Sequence, residues 1–357
     1  MKSKYRNIFL FFGIAAIVIM LLSFDMEYDE LWHNLKRAGY WFPAIILLWV
    51  FIYLINALSW YIIIRDGKKG TPIPFWKVYK LTVTGFALNY ATPGGLMGGE
   101  PYRILELTPY VGTSKATSSV ILYVMMHIFS HICFWFASIF LYVVLYPVDF
   151  FLGIFFTVAG LALLISIYFF LRGYRKGMAV KTLKMLGYVP FAKKWAKRFS
   201  EEKRDVLQRI DDQIAELHKQ RKTTFYASLG LEFLARVLGC MEVYFILNIL
   251  ATDVSFPACI LIMAFTSLFA NIFFFSPMQL GAREGGFALA VGKLSIPGAY
   301  GVYTGLITRI RELIWIVIGV ALMKVGTNVS ENKERTNLFV AEERNGRNQQ
   351  KDERNVD

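Results

Sequence analysis

The chain has 357 residues, of which 56% are hydrophobic and 18% are charged, and its mean hydropathy is +0.45. A soluble globular domain carries roughly 25% charged and about 45–50% apolar residues. The composition therefore excludes a disordered protein and a disulfide-stapled scaffold, and it argues against a soluble enzyme. We expect an all-α polytopic membrane protein, for which the net charge of +13 raises the question of which side holds the excess.

Six apolar runs are predicted to cross about 30 Å of hydrocarbon, which takes roughly 20 helical residues, while the uncharged run 254–282 is assigned below to a hairpin. The first run lacks the small-x-small site of a cleaved signal peptide, so we predict a retained helix. Charged residues interrupt the fifth run (Glu232, Arg236 and Glu242) and the sixth run (Arg309, Arg311 and Glu312). In chain order, the six runs cover residues 7–24, 38–64, 116–148, 150–171, 223–250 and 296–325.

The charges outside these runs are strongly asymmetric. Residues 1–6 carry +3, residues 65–80 carry +4, and residues 172–222, with 15 basic and 6 acidic groups, carry +9. Residues 25–37 carry −2. By the positive-inside rule, the three basic segments and both chain termini are cytoplasmic.

This topology requires two further membrane segments that do not cross. Residues 75–115 must start and finish inside, so they form a hairpin with its turn near Pro93. Residues 254–297 must start and finish outside, so they form a second hairpin of opposite orientation, turning near Pro277. The expected fold is therefore about six transmembrane helices plus two oppositely oriented helical hairpins.

The two predicted turns have related sequences. Each has an upstream asparagine (Asn89 and Asn271), then a proline, and then a glutamate seven residues after that proline (Glu100 and Glu284), with glycines around them. Broken helices that meet near the bilayer midplane in inverted repeats are typical of transporters. We therefore predict an inverted repeat with halves at about 38–171 and 223–325.

Carboxylates at membrane depth need partners, because insertion of an unpaired one costs roughly 2.5–3.5 kcal/mol. We expect arginines to pair with the two glutamates and to contact a lipid phosphate, prolines to break the helices, and asparagines to bond the freed backbone groups. The predicted substrate-binding residues are Asn89, Pro93, Glu100, Arg103, Asn271, Pro277, Arg283, Glu284 and Arg309.

Purely structural roles stay open for the other charged residues within the membrane. Glu232 and Arg236 are four residues apart and could neutralise each other on one helix. Arg311 and Glu312 could snorkel from a helix end. His127 and His131 are interpreted as packing or hydrogen-bonding residues, and neither a metal site nor a cofactor is predicted.

The two motifs resemble the transmembrane (flippase) region of the lysylphosphatidylglycerol synthase family over roughly residues 5–325. The resemblance rests on Gly98-Gly99-Glu100 with Arg103, on the Pro277 to Gly286 segment with Arg283 and Glu284, and on Thr308-Arg309. The first motif has Gly94 to Met97 where the family often has an arginine. The resemblance implies translocation of a phospholipid or lipid-linked envelope precursor. Because only polar residues follow Gly326, we expect no soluble transferase domain and no enzyme activity.

The resemblance also implies a setting for the protein. We expect a cytoplasmic (inner) membrane location, a membrane lipid or lipid-linked substrate, and a lipid or glycolipid synthase as a partner. The basic amphipathic segment 172–222 is predicted to lie on anionic lipid rather than on nucleic acid, and residues 326–357 to form a disordered tail. The alternatives are a membrane-embedded headgroup transferase and an accessory scaffold for a synthase.

Overall fold

A computed structural model describes residues 36, 39–65, 73–91, 98–176, 222–250, 253–272, 281–294 and 296–323 of the chain. Nearly all of these residues are helical, as expected for an all-α membrane protein. The helices are α1 (Trp41–Arg65), α2 (Phe75–Ala91), α3 (Gly99–Val111), α4 (Thr113–Leu145), α5 (Phe150–Lys176), α6 (Lys222–Ile249), α7 (Phe256–Ile272), α8 (Ala282–Gly292) and α9 (Gly298–Leu322).

Several helix ends follow from local sequence. Gly112 has a positive φ of 79° and separates α3 from α4, a conformation that glycine adopts without strain. The helix α4 ends at Leu145, two residues before Pro147, because a proline disfavours helical backbone in the residue before it. The side chain of Asp149 caps α5 by accepting a hydrogen bond of 2.8 Å from the Leu152 N–H.

In the part of the chain that the structure describes, three helices are long and apolar enough to cross a bilayer. They are α1, α4 and the 150–171 part of α5. The helices α6 and α9, with 28 and 25 residues, are of similar length but carry charged residues along them. These charges are mostly buried in pairs, which allows both helices to lie within the membrane domain.

The first predicted hairpin is formed by α2 and α3. Hydrogen bonds join Lys77 to Glu106, Thr82 to Arg103 and Asn89 to Gly99. Residues later in α2 therefore contact residues earlier in α3. The two helices are therefore antiparallel. At 17 and 13 residues they span roughly 26 and 20 Å, which is less than the 30 Å of a full crossing.

The second hairpin, α7 and α8, runs in the opposite direction. Gly286 of α8 lies against Thr266 of α7, while Ala288 of α8 lies against Gly301 of α9. Gly305 of α9 lies against Glu284, so α8 and α9 are antiparallel, and Val291 of α8 clusters with Ile262 of α7, so α7 and α8 are antiparallel too. Along α9, Glu312 lies near Tyr90 of α2 and Gly319 lies against Val83 and Ala87, so α9 is antiparallel to α2 and α7 runs opposite to α2. The two oppositely oriented hairpins predicted from the charge asymmetry are confirmed.

Several predicted features lie outside the described residues. They are the first transmembrane run (7–24), the turn residues Pro93 and Pro277, most of the basic segment 172–222, and the tail 326–357. At the edges of the basic segment, α5 continues to Lys176 and α6 begins at Lys222. The predicted runs 38–64, 116–148 and 223–250 agree with α1, α4 and α6 to within a few residues at each end.

Candidate functional site between the two hairpins

A cavity of about 400 Å³ lies between the two hairpins, and residues from both halves of the chain line it. The long helices α1, α4, α6 and α9 form its remaining walls. Of the predicted site residues, five line the cavity: Asn89, Glu100, Arg103, Asn271 and Arg283. Charged groups from distant parts of the sequence therefore meet at one place inside the membrane domain.

In the first hairpin, Asn89 closes the connection between α2 and α3. Its side-chain oxygen accepts a 2.8 Å hydrogen bond from the Gly99 N–H, one of the backbone groups left free at the start of α3. Its amide donates to Glu100 at 2.9 Å. Asn89 thus makes the predicted bond to a freed backbone group, and it also holds Glu100 at the positive end of α3.

Arg103 is enclosed by its own hairpin and the neighbouring aromatic rings. Its guanidinium donates to the carbonyl oxygens of Leu81 and Thr82 at 3.4 and 3.2 Å, and to Glu100 at 3.4 Å. The guanidinium carbon lies 5.0 to 5.7 Å from the ring centroids of Phe86, Tyr123 and Trp60. Arg103 lines the cavity but is only 1% exposed, so its charge is satisfied mainly by these protein partners.

In the second hairpin, Glu284 occupies the same place at a helix start but has different partners. Gly281 adopts a positive φ of 76°, and its N–H donates to Glu284 at 2.9 Å. The other carboxylate oxygen accepts a 2.8 Å bond from Nε of Arg309 on α9. Glu284 therefore pairs with an arginine as predicted, but this arginine lies on α9 and not in the second hairpin. Neither Glu284 nor Arg309 lines the cavity.

Arg283 pairs with Glu312, a residue that was not among the predicted site residues. The Arg283 side chain is also hydrogen-bonded to Tyr90 of α2, so it joins the second hairpin to the first. Two further guanidiniums lie near Glu312, with Nη1 of Arg309 at 3.6 Å and Nη1 of Arg311 at 3.7 Å. The Glu312 carboxylate, which is 2% exposed, thus lies within ion-pair distance of three arginines.

Arg311 also has a partner on α6. It donates to Glu242 through two nitrogens, at 2.9 and 2.8 Å, and its guanidinium carbon lies 3.8 Å from the ring centroid of Trp49. Trp49 in turn donates to Glu242 at 3.0 Å. Arg311 and Glu312 lie in the middle of α9 and are buried, so the interpretation of both as snorkelling end residues is wrong.

A further polar cluster joins α4 to α6. The Nδ1 atom of His127 lies 2.8 Å from Oε2 of Glu232, and Arg236 donates to the Ser130 hydroxyl and the His127 carbonyl at 2.7 Å each. Nη1 of Arg236 lies 2.8 Å from Nδ1 of His131. Glu232 and Arg236 therefore find their hydrogen-bonding partners on α4. Their four-residue spacing on α6 does not by itself account for these contacts.

Asn271 does not repeat the role of Asn89. Its amide donates at 2.7 Å to the carbonyl of Ser267, one turn earlier on the same helix, and the residue is exposed. That carbonyl is not one of the last four that a helix end leaves free, so the predicted bond to a freed backbone group is not the bond it makes. The same motif position has a different contact in the two halves.

The comparisons with known proteins agree with this architecture. The model of one protein family, described as the lysylphosphatidylglycerol synthase TM region, matches residues 8–320. The chain belongs to this family. No curated protein and no solved structure matches the chain. Membership in the family, together with the helices described above, makes this a multi-pass membrane protein with a function related to membrane lipids.

The cavity charges of this family member are balanced. Among the residues that the structure describes, the ionic side chains that line the cavity are four glutamates and four arginines: Glu100, Glu232, Glu242, Glu312, Arg103, Arg236, Arg283 and Arg311. Each has at least one ionic or hydrogen-bonding partner of the kind that buried charges require. The cavity wall can therefore offer both donors and acceptors to a polar group without a large net charge.

Five of these eight charged residues were not among the site residues predicted from the sequence. Glu242 and Arg311 are 69 residues apart, and His127 and Glu232 are 105 residues apart, so sequence spacing does not pair them. The usable signal was the presence of charged residues inside the long apolar runs 223–250 and 296–325. Charges at membrane depth that face the bundle interior are candidate site residues whether or not a motif surrounds them.

Proposed function

We propose that this protein moves a membrane lipid from one leaflet to the other, with the lipid headgroup passing through the cavity between the two hairpins. The substrate class is a phospholipid or a lipid-linked envelope precursor. The observation that carries the proposal is the cavity itself, because charged side chains from both oppositely oriented hairpins meet there at membrane depth. A structural core would have no need for eight charged groups around an open space.

The size of the cavity favours a compact headgroup. About 400 Å³ lies near the lower end of the range of small-molecule pockets, roughly 300–1,000 Å³. A phosphate with a small substituent fits such a space, while the acyl chains remain in the surrounding lipid. This arrangement needs only the polar part of the lipid to leave the aqueous interface.

The arginines divide into two roles in this proposal. Arg283 lines the cavity with a side chain that is 18% exposed, so it is the proposed phosphate contact. Arg103 and Arg309 are buried against protein partners and act as positioning residues. Glu312 holds Arg283, Arg309 and Arg311 together, so its negative charge sets how strongly these arginines can bind an incoming anion.

The proposed location is the cytoplasmic membrane with both termini inside. The helix directions in the structure agree with the topology that the positive-inside rule gives: α1 and α6 are antiparallel, and α4 and α6 are parallel. The basic segment between α5 and α6 would then lie on the anionic cytoplasmic surface. A lipid synthase on that side would supply the substrate.

A liposome assay tests the proposal. The protein is reconstituted in vesicles of phosphatidylglycerol and phosphatidylethanolamine that contain traces of either lipid with a fluorescent acyl chain. A membrane-impermeant reductant then bleaches only the outer leaflet. We expect wild-type protein to expose inner-leaflet probe of at least one lipid, and Glu312→Gln to slow this by roughly tenfold or more, equivalent to at least about 1.4 kcal/mol.

The matched control is Asp149→Asn, which makes the same chemical change at an exposed position outside the cavity. An amide can still accept the hydrogen bond that caps α5, so this variant should move lipid at the wild-type rate. Identical bleaching in wild-type and protein-free vesicles for both lipids would overturn the proposal. Equal rates for wild type and Glu312→Gln would exclude the cavity as the route.

A further inference from the structure

The His127–Glu232 pair differs from the other ion pairs of the cavity. It joins α4 of the first half to α6 of the second half through the 2.8 Å contact between His127 Nδ1 and Glu232 Oε2. Glu232 is 1% exposed, whereas the His127 side chain is 32% exposed and borders the cavity. Glu232 is thus buried in protein, while His127 is exposed to the proposed lipid route.

Glu232 is only partly satisfied. Its Oε1 atom is buried and has no hydrogen-bond partner among the residues that the structure describes. Arg236 lies one turn further along α6, but its described hydrogen bonds go to Ser130, His131 and the His127 carbonyl. The other cavity glutamates, such as Glu242, receive arginine donors directly. A buried carboxylate whose contact is a histidine has a charge balance that depends on the histidine proton.

Histidine is the side chain that most readily gains or loses a proton near neutral pH. With His127 neutral, the Glu232 charge is offset by Arg236, one turn further along α6. With His127 protonated, the pair is neutral overall, and the positive charge of Arg236 is no longer offset. The other titratable groups that face the pair are Tyr123 and His131 from α4 and Arg103 from α3, while α2 contributes the Phe86 ring. Tyr53 of α1 and Glu100 of α3 lie near Tyr123 in turn, and α7 lines the same cavity with Ser267.

We propose that His127 and Glu232 form a proton-binding site that couples proton movement to lipid movement. This inference rests on the proposed translocation function and adds its energy source. Protonation of the pair leaves Arg236, at the cavity wall, free to attract an anionic headgroup. Proton binding and phosphate binding then favour each other, and this coupling is reciprocal by thermodynamic necessity. A proton gradient would therefore drive the headgroup in the direction in which protons flow.

The test uses the same proteoliposomes with a pH-sensitive dye inside and an imposed proton gradient. One proton coupled to one lipid can shift the leaflet distribution of the probe lipid by up to about tenfold for each pH unit of gradient. We expect wild-type vesicles to show a gradient-dependent shift together with a change in internal pH. Glu232→Gln and His127→Gln should each abolish both responses, while Asp149→Asn keeps them.

A second measurement reads the site without lipid transport. Infrared difference spectra of the purified protein, recorded as pH is varied, should contain carboxyl and imidazole signals that disappear in Glu232→Gln and His127→Gln respectively. If wild-type protein moves lipid at the same rate and to the same distribution with and without the gradient, coupling is wrong and translocation stands. If no lipid moves, the translocation function fails, and the absence of titrating signals at these two residues would overturn the proton site as well.

Discussion

The two hairpins share a motif but hold their charges in different ways. In the first hairpin, Arg103 of α3 bonds to carbonyls of the paired helix α2 and lies among three aromatic rings, one from α2 and two from the neighbouring helices α1 and α4. In the second hairpin, Arg283 and Glu284 both reach α9, where they meet Glu312 and Arg309. The hydrogen bonds of Arg103 therefore stay within the first hairpin, whereas the ion pairs of Arg283 and Glu284 depend on a neighbouring helix.

The backbone packing of the hairpins differs in the same way. A Cβ atom at Gly99 would overlap the carbonyl oxygen of Gly85, so α2 and α3 approach as closely as backbones can. The corresponding position of the second motif, just before the glutamate, is Arg283. Both motifs thus have a glutamate at a helix start, and the residue before it decides whether the hairpin packs tightly or presents a charge.

Truncation of the two arginines should separate these roles. Arg103→Ala leaves buried carbonyls and Glu100 without their cation, so we expect a stability loss of about 3–5 kcal/mol. Arg283→Ala leaves Glu312 with Arg309 and Arg311, so it should lose less stability but most of its lipid transport. Thermal unfolding in detergent and the liposome assay measure the two effects. Equal stability losses would contradict the comparison.

Alanine at the glycines of each motif tests the packing difference. Gly99→Ala forces α2 and α3 apart, which should cost about 1–3 kcal/mol of unfolding free energy. Gly286→Ala adds a methyl group 3.3 Å from the Thr266 side chain of α7, a much smaller overlap, so it should cost no more than about 1 kcal/mol. Denaturant titration of both variants gives the result, and similar losses would show that both hairpins pack alike.

Alanine substitution of the two motif asparagines should give the smallest differences in stability. Asn89→Ala removes the bonds to the Gly99 N–H and to Glu100, so we expect a loss of about 1–3 kcal/mol. Asn271→Ala removes one exposed bond within its own helix and should change stability by no more than about 0.5 kcal/mol. The difference in melting temperature between the two variants measures the asymmetry. A larger effect at Asn271 would reverse it.

The fold was accessible from sequence because the bilayer restricts it so strongly. Charge counts in residues 1–6, 65–80 and 172–222 placed those segments on one side, and that placement required two hairpins. The observed directions of α2, α3, α7 and α8 agree with that prediction. The helix ends were also close to those predicted, since uncharged runs and prolines mark them.

The site was accessible only in part, because its pairs depend on tertiary packing. The motif spacing indicated that Glu100 and Glu284 would need arginine partners, and each has one. It could not show that Arg283 would pair with Glu312 on α9. The four-residue spacing of Glu232 and Arg236 suggested a pair within α6, but α4 packs alongside and provides other partners for both.

The most direct test of the central claim is to locate a lipid headgroup on the protein. Membrane vesicles containing the protein are loaded with a phospholipid that carries a photoreactive group either in its headgroup or at the end of an acyl chain. Mass spectrometry then maps the attachment sites. We predict that the headgroup probe labels cavity residues such as Val124 and Met263, and that the acyl probe labels the exposed face of α5, including Leu161. Headgroup labelling confined to that outer face of α5, with none in the cavity, would contradict the account.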